Sequence, residues 1–201
     1  MKIFDNWRSW SEAKQALMAV LPIDTLNSLE QAFTFASVYH DKQTRPNGEP
    51  YIIHLFEVVE ILLAAGVREK NVLLAGVLHD VVEDTSCSLQ EVHIRFGENV
   101  ANLVEWLTKP EPGRAESSAQ LRVEYIDKFK IAPLDVVAIK LADRLSNVQK
   151  LDTHPKLEKQ RTYYCETVEK IIPFSKDLPW FNVQFKLWKK KFSFLAKQSQ
   201  N

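Results

Sequence analysis

Residues 76 to 84 read Gly76-Val77-Leu78-His79-Asp80-Val81-Val82-Glu83-Asp84, after the apolar run Val72-Leu73-Leu74-Ala75. On an α-helix, side chains three and four apart share a face. His79 then stacks on Glu83, and Asp80 on Glu83 and Asp84, so one helix over about 69–84 presents an imidazole and three carboxylates to one region of space. Carboxylates this close repel one another, and against a core they are costly unless a cation or protons neutralise them. The apolar run carries the helix into the interior before it delivers the cluster. An acidic cluster at the end of a buried helix points to a metal site. The competing reading is a solvated helix end with an incidental His-Asp pair.

The chain has 201 residues, the length of one domain able to bury a sizeable core. Apolar residues make up 45% and charged residues 26%, as in an ordinary globular protein. Lys plus Arg and Asp plus Glu balance at 26 each. No global field therefore recruits DNA or an anionic membrane, and a polyanionic ligand must be met by a local site. Cys87 and Cys165 are far apart and form no Cys-x-x-Cys motif. Neither a zinc ribbon nor a disulfide framework is indicated, which fits a reducing compartment. The start, Met1-Lys2-Ile3-Phe4-Asp5-Asn6-Trp7-Arg8, lacks the apolar block of a signal peptide. No uncharged apolar run approaches the roughly 20 residues that span a bilayer. A cytoplasmic protein without a membrane segment is expected.

Helical spacing recurs along the chain and strand-like alternation does not, so the expected fold class is all-α. Val100, Leu103, Val104 and Leu107 fall at i, i+3, i+4 and i+7, and Leu134, Val137, Leu141, Leu145 and Val148 mark another buried stripe. Further helices are expected over about 8–20, 25–40, 98–108 and 155–172, with others opening near Pro50 and at Pro133. Ser88-Leu89-Gln90-Glu91 has the spacing of a capping box and starts a short helix ended by Phe96-Gly97. The loop from Asp41 to Pro50 holds two prolines and Asn47-Gly48, which rule out a continuous helix. Pro110-Glu111-Pro112-Gly113 and the polar residues Arg114 to Gln120 read as a surface loop inside one domain.

His54 lies among Tyr51, Ile52, Ile53 and Leu55, where a satisfied core histidine is the ordinary reading. Asp143 shares a face with Asn147, one turn beyond Lys140, and could equally pair with Arg144. In the tail, Phe181, Phe185, Trp188, Phe192 and Leu195 form an apolar stripe beside Lys186, Lys189, Lys190 and Lys191. Such a stripe usually packs against its own domain. A homodimer contact or a basic surface helix is the alternative.

If His54, His79, Asp80 and Asp143 converge, two imidazoles and two carboxylates suit a borderline divalent ion such as Mn²⁺ or Fe²⁺, and Zn²⁺ is also compatible. Water on such an ion loses a proton far more readily than bulk water, and the ion polarises a phosphoryl oxygen. Glu83 and Asp84, one turn further on, would handle protons or orient the water. That constellation describes a metal-dependent phosphohydrolase.

The ordered set of His54, His79-Asp80, Glu83-Asp84 and Asp143 resembles the HD superfamily. Three longer stretches, Gln43 to His54, His79 to Thr85 and Lys140 to Asn147, look like the hydrolase domain of RelA/SpoT proteins. The resemblance implies one HD hydrolase domain over 1–201, a helical bundle of about eight to ten helices. Its family-like core covers about 25–175 and a C-terminal amphipathic helix about 179–197. It implies a stand-alone small alarmone hydrolase, similar to the animal SpoT-like enzymes. His54, His79, Asp80 and Asp143 would hold Mn²⁺. Glu83 with Asp84 would support attack of water on the 3′-pyrophosphate of ppGpp or pppGpp, releasing pyrophosphate and GDP or GTP. Arg45 matches the arginine that meets the guanine, and a flat guanidinium suits stacking on a base. Asn147 matches the residue that contacts the sugar region. Lys140, Arg161 and Tyr164 complete the expected substrate-binding group, the last two near the pyrophosphate.

Several positions depart from the family pattern. Pro46 stands where a basic residue often follows the arginine, Leu55 replaces a proline, Ser146 stands where many relatives have His, and Lys150 where some have Thr. None is expected to touch the metal set. Pro46 and Lys150 leave open another HD-type phosphohydrolase, acting on nucleotides or NADPH. Outside the enzymes, the alternative is a nucleotide-binding or antitoxin role through the lysine-flanked C-terminal stripe. A second dipeptide, His40-Asp41, lies outside the family's metal set.

Overall fold

The structure, a computed structural model, describes residues 4, 7–109 and 118–196. Its elements follow the apolar periodicity: α1 (Trp10–Leu17), α2 (Ile23–Tyr39), α3 (Ile52–Ala64), α4 (Lys70–Leu78), the single turn α5 (Val81–Asp84) and α6 (Leu89–Phe96). They continue with α7 (Glu98–Leu107), α8 (Ser118–Asp127), α9 (Leu134–Val148), α10 (Leu157–Glu166) and α11 (Pro179–Lys191). Ten of these have eight residues or more, and no strand occurs among the described residues. The fold class is all-α, as the spacing predicts.

Local chemistry sets the helix ends. Ser88 Oγ accepts from the Glu91 N–H at 3.2 Å while the Glu91 carboxylate accepts from the Ser88 N–H at 2.9 Å, completing the capping box of α6. Gly97 closes that helix at φ +88°, a conformation that favours glycine. Neither cysteine is in a disulfide.

The centre of the fold is α3, buried on every side from Ile53 to Leu62 and packed against α4 and α9. In turn α4 packs against α2 and α7. The α3–α4 approach depends on Gly76, where a Cβ would lie 2.7 Å from Leu62 Cδ1. Buried apolar side chains from Phe4 to Leu195 form one cluster.

The structure corrects three boundaries. The helix expected over about 69–84 is two elements, broken at His79 and Asp80. The break has a local cause: Gly76 carbonyl, which a continuous helix would offer to the Asp80 N–H, accepts from His79 Nδ1 at 2.9 Å. The polar stretch read as loop to Gln120 becomes helical from Ser118, with residues 110–117 outside the described set. The helix expected over about 155–172 is regular only to Glu166, and its path continues through a π turn (Thr167–Ile171) and, past Pro173, a 3-10 segment (Ile172–Asp177). In the tail, as the ordinary reading of the stripe expects, Phe181, Phe185, Trp188, Phe192 and Leu195 are all buried within the chain, while the four lysines beside them face outward. Trp188 Nε1 donates to the Val148 carbonyl at 2.7 Å and its ring stacks on Tyr164. The apolar stripe is thus consumed inside the fold, and a second copy would have to meet the outer face of α11. No helix among the described residues is long and apolar enough to cross a membrane.

Candidate metal centre

Three elements deliver the four expected donors to one point. His54 comes from the first turn of α3, His79 and Asp80 from the break after α4, and Asp143 from the middle of α9. One donor atom from each lies within 4.8 Å of the others. His54 Nε2 and His79 Nε2 are 3.3 Å apart. Asp80 Oδ2 lies 2.8 Å from His79 Nε2 and 3.7 Å from His54 Nε2, and Asp143 Oδ1 lies 3.6 Å from His54 Nε2.

The far sides of both rings and of Asp143 are occupied, and Asp80 is held through the oxygen it turns toward the rings. His79 Nδ1 faces the Gly76 carbonyl, which can only accept, so Nδ1 keeps its hydrogen and Nε2 is the nitrogen that would ligate. His54 Nδ1 is 2.8 Å from Ser146 Oγ. Asp143 accepts from Lys140 Nζ at 2.9 Å and from Asn147 Nδ2 at 2.6 Å. Tyr51 donates its hydroxyl to Asp80 Oδ2. Two imidazole nitrogens and two carboxylates, each held by a neighbouring group, make a divalent-metal site by donor chemistry.

The electrostatics agree. Burial opposes a charge on His79, but Asp80 and Asp143 override it and push the ring up to about 10. Burial, then the charge of His79, pushes His54 down to about 3. Burial also opposes ionisation of both aspartates; His79 holds Asp80 below its usual range, and Lys140 with His79 holds Asp143 well below. With protons alone available, one imidazolium balances the carboxylates where a divalent cation would do so more fully.

Beyond the break, α5 carries Glu83 and Asp84 to the wall of the adjoining cleft. Glu83 accepts from the Lys109 N–H at 3.1 Å and pairs with the Lys109 ammonium. Burial, Asp80 and Glu83 together push the Asp84 carboxyl up. The cleft has a volume of about 390 Å³, within the range of small-ligand sites. Arg45, Lys109, Lys140, Arg144 and Lys150 line it, with His154 and Tyr163.

Of the expected substrate residues, Arg45, Lys140 and Asn147 line the cleft, and Arg161 and Tyr164 do not. Tyr164 is buried against Trp188, because that face of α10 packs on α11. Its neighbour Tyr163 lines the cleft instead. Arg45 is more committed than a stacking role suggests: its NH1 donates to Glu57 Oε2 at 2.7 Å and its NH2 to the Ser146 carbonyl at 3.1 Å. Ser146 was not expected near the metal set, yet it touches His54. His40 lies outside the donor set, stacked on Tyr51 and bonded to Gln43. Sequence reasoning passed over Tyr51, Glu57 and Lys109. Glu57 carried a signal, an acid in the midst of the apolar α3 run and three residues from His54.

Residues 32–171 match the family described as HD domain. The chain is 36% identical over 172 residues to a probable guanosine-3′,5′-bis(diphosphate) 3′-pyrophosphohydrolase of Synechocystis sp., covering 84% of this chain and 22% of the relative. It is 34% identical over 176 residues to the bifunctional (p)ppGpp synthase/hydrolase SpoT of Escherichia coli, covering 86% of this chain and 25% of the relative. The chain thus spans a quarter or less of the length of these curated relatives. Among solved structures, it matches a metazoan ortholog of SpoT, described as hydrolysing ppGpp with a role in starvation responses, at a TM-score of 0.73 and 25% identity. That match covers 82% of this chain and 94% of the other. With the family match extending over most of the chain and all four donors inside it, the chain belongs to the HD-domain family.

Proposed function

We propose that the protein is a Mn²⁺-dependent 3′-pyrophosphohydrolase of ppGpp and pppGpp, yielding pyrophosphate and GDP or GTP. The observation that carries this reading is a His/Asp donor set, buried but for the partly exposed Asp80, beside a cation-lined cleft of about 390 Å³. The names of the relatives, matched over 84% and 86% of this chain, support the substrate. So does the metazoan ortholog, matched over 94% of its length.

In this reading His54, His79, Asp80 and Asp143 hold the ion. When bound, it would acidify a water and polarise a phosphoryl oxygen. The face of Arg45 receives the guanine, and Asn147 the sugar. Lys140, Lys109, Arg144 and Lys150 offset the charge of the phosphates. Asp84, whose carboxyl is pushed up, and Glu83 take the proton from water. The water oxygen bonds to the phosphorus next to O3′, the P–O3′ bond breaks, and O3′ leaves as a hydroxyl after taking a proton. A cytoplasmic location fits that substrate and the two free cysteines.

Comparing turnover of ppGpp with that of GMP, deoxynucleotides and NADPH tests the substrate. The highest kcat/KM is expected for ppGpp; preference for any of the others overturns it.

A further inference from the structure

Glu57 and Ser146 are each 1% exposed, yet they lie between a metal donor and the cleft wall. Arg45 NH1 donates to Glu57 Oε2 at 2.7 Å, and Ser146 gives its hydroxyl hydrogen to the same oxygen at 2.5 Å. A serine hydroxyl has one hydrogen and two lone pairs. Toward His54 Nδ1, 2.8 Å away, Ser146 Oγ can therefore only accept. The ring hydrogen of His54 is thus held on Nδ1, and Nε2 faces the other donors with its lone pair.

We propose that Ser146 is a positioning residue for the metal centre: backed by Glu57 and Arg45, it fixes the tautomer and ring orientation of His54 and ties the cleft-wall guanidinium to a metal donor. The proposal rests on the metal reading of the donor set. Helix register makes the arrangement: His54 and Glu57 share a face of α3, Asp143 and Ser146 share a face of α9, and the two helices pack directly. The packing that brings two donors together also brings their support together. Glu57 is buried in an apolar helix with Arg45 as its counter-ion, so the chain of contacts is held from both ends.

Calorimetric titration of Mn²⁺ into the full chain, without nucleotide, reads the effect apart from turnover. Ser146→Ala is expected to weaken Mn²⁺ binding by about 10–100-fold, the usual effect of removing such a support. Glu57→Gln is expected to weaken it in the same direction, since it removes the charge that orders both Ser146 and Arg45. Long-range ¹H–¹⁵N spectra of the wild-type protein need no variant and should place the His54 hydrogen on Nδ1. Unchanged Mn²⁺ affinity in folded Ser146→Ala, or the hydrogen on Nε2 in the wild type, overturns the proposal. No binding of any divalent ion by the wild type would overturn the metal reading itself, and with it this proposal.

Discussion

The donors on the cleft floor come from core-packed helices and the short break after α4, whereas the groups proposed to meet the nucleotide come largely from loops and helix ends at the rim. His54, His79 and Asp143 are all less than 9% exposed, and each is held by a second group behind it. At the rim, Arg45 rides on the 41–51 loop, Lys109 follows α7, and Lys150 and His154 flank the short turn after α9. Chemistry that needs sub-ångström placement sits on rigid elements, and recognition sits where the backbone tolerates change. The departures at Pro46 and Lys150 fall on the rim. Ser146 departs on the floor, and there a neighbouring side chain, Glu57, answers it.

This contrast can be broken at the floor first. His79→Ala or Asp143→Ala removes a donor and should abolish both calorimetric Mn²⁺ binding and turnover; tight binding by either would show that the ion lies elsewhere. Glu83→Gln should keep Mn²⁺ affinity and lower kcat by about 10²–10⁴-fold, and full activity would remove Glu83 from proton handling. The next effect is on pH. Because His79 is pushed up to about 10, an incoming ion displaces its proton, so Mn²⁺ affinity should rise with pH by up to about tenfold per unit from neutrality toward that value. Affinity independent of pH would contradict the role of His79.

Smaller effects sharpen the difference between floor and rim. Gly76→Ala forces a Cβ to 2.7 Å from Leu62 Cδ1 and should cost about 1–3 kcal/mol in thermal unfolding, through the α3–α4 contact that sets the floor. Lys150→Ala should raise KM for ppGpp by less than about tenfold and leave Mn²⁺ affinity unchanged, as befits a partly exposed charge. A larger loss in Mn²⁺ affinity than in KM would erase the distinction.

The floor was legible in the sequence because histidines and acids interrupt apolar helical runs, and because their order carried the family resemblance. The break at His79 was not legible. No Gly or Pro marks it, and it depends on a side chain taking the Gly76 carbonyl, which local propensity does not register. Ser146 and Glu57 were missed for a related reason, since their partnership spans 89 residues and exists only once α3 packs on α9. Neither substrate residue expected on α10, Arg161 or Tyr164, lines the cleft. The family resemblance set that element beside the cleft, but one position of rotation separates Tyr163, which lines it, from Tyr164, which packs on Trp188.

The measurement that reaches the centre of this account is pyrophosphate release from ppGpp by the metal-stripped protein, resupplied in turn with Mn²⁺, Mg²⁺ or Zn²⁺. Rapid release restored by Mn²⁺ and lost in Asp143→Ala is the predicted result. No release with any ion, in protein that binds one equivalent of metal, would contradict the alarmone hydrolase and leave the HD fold with another phosphoester to cleave.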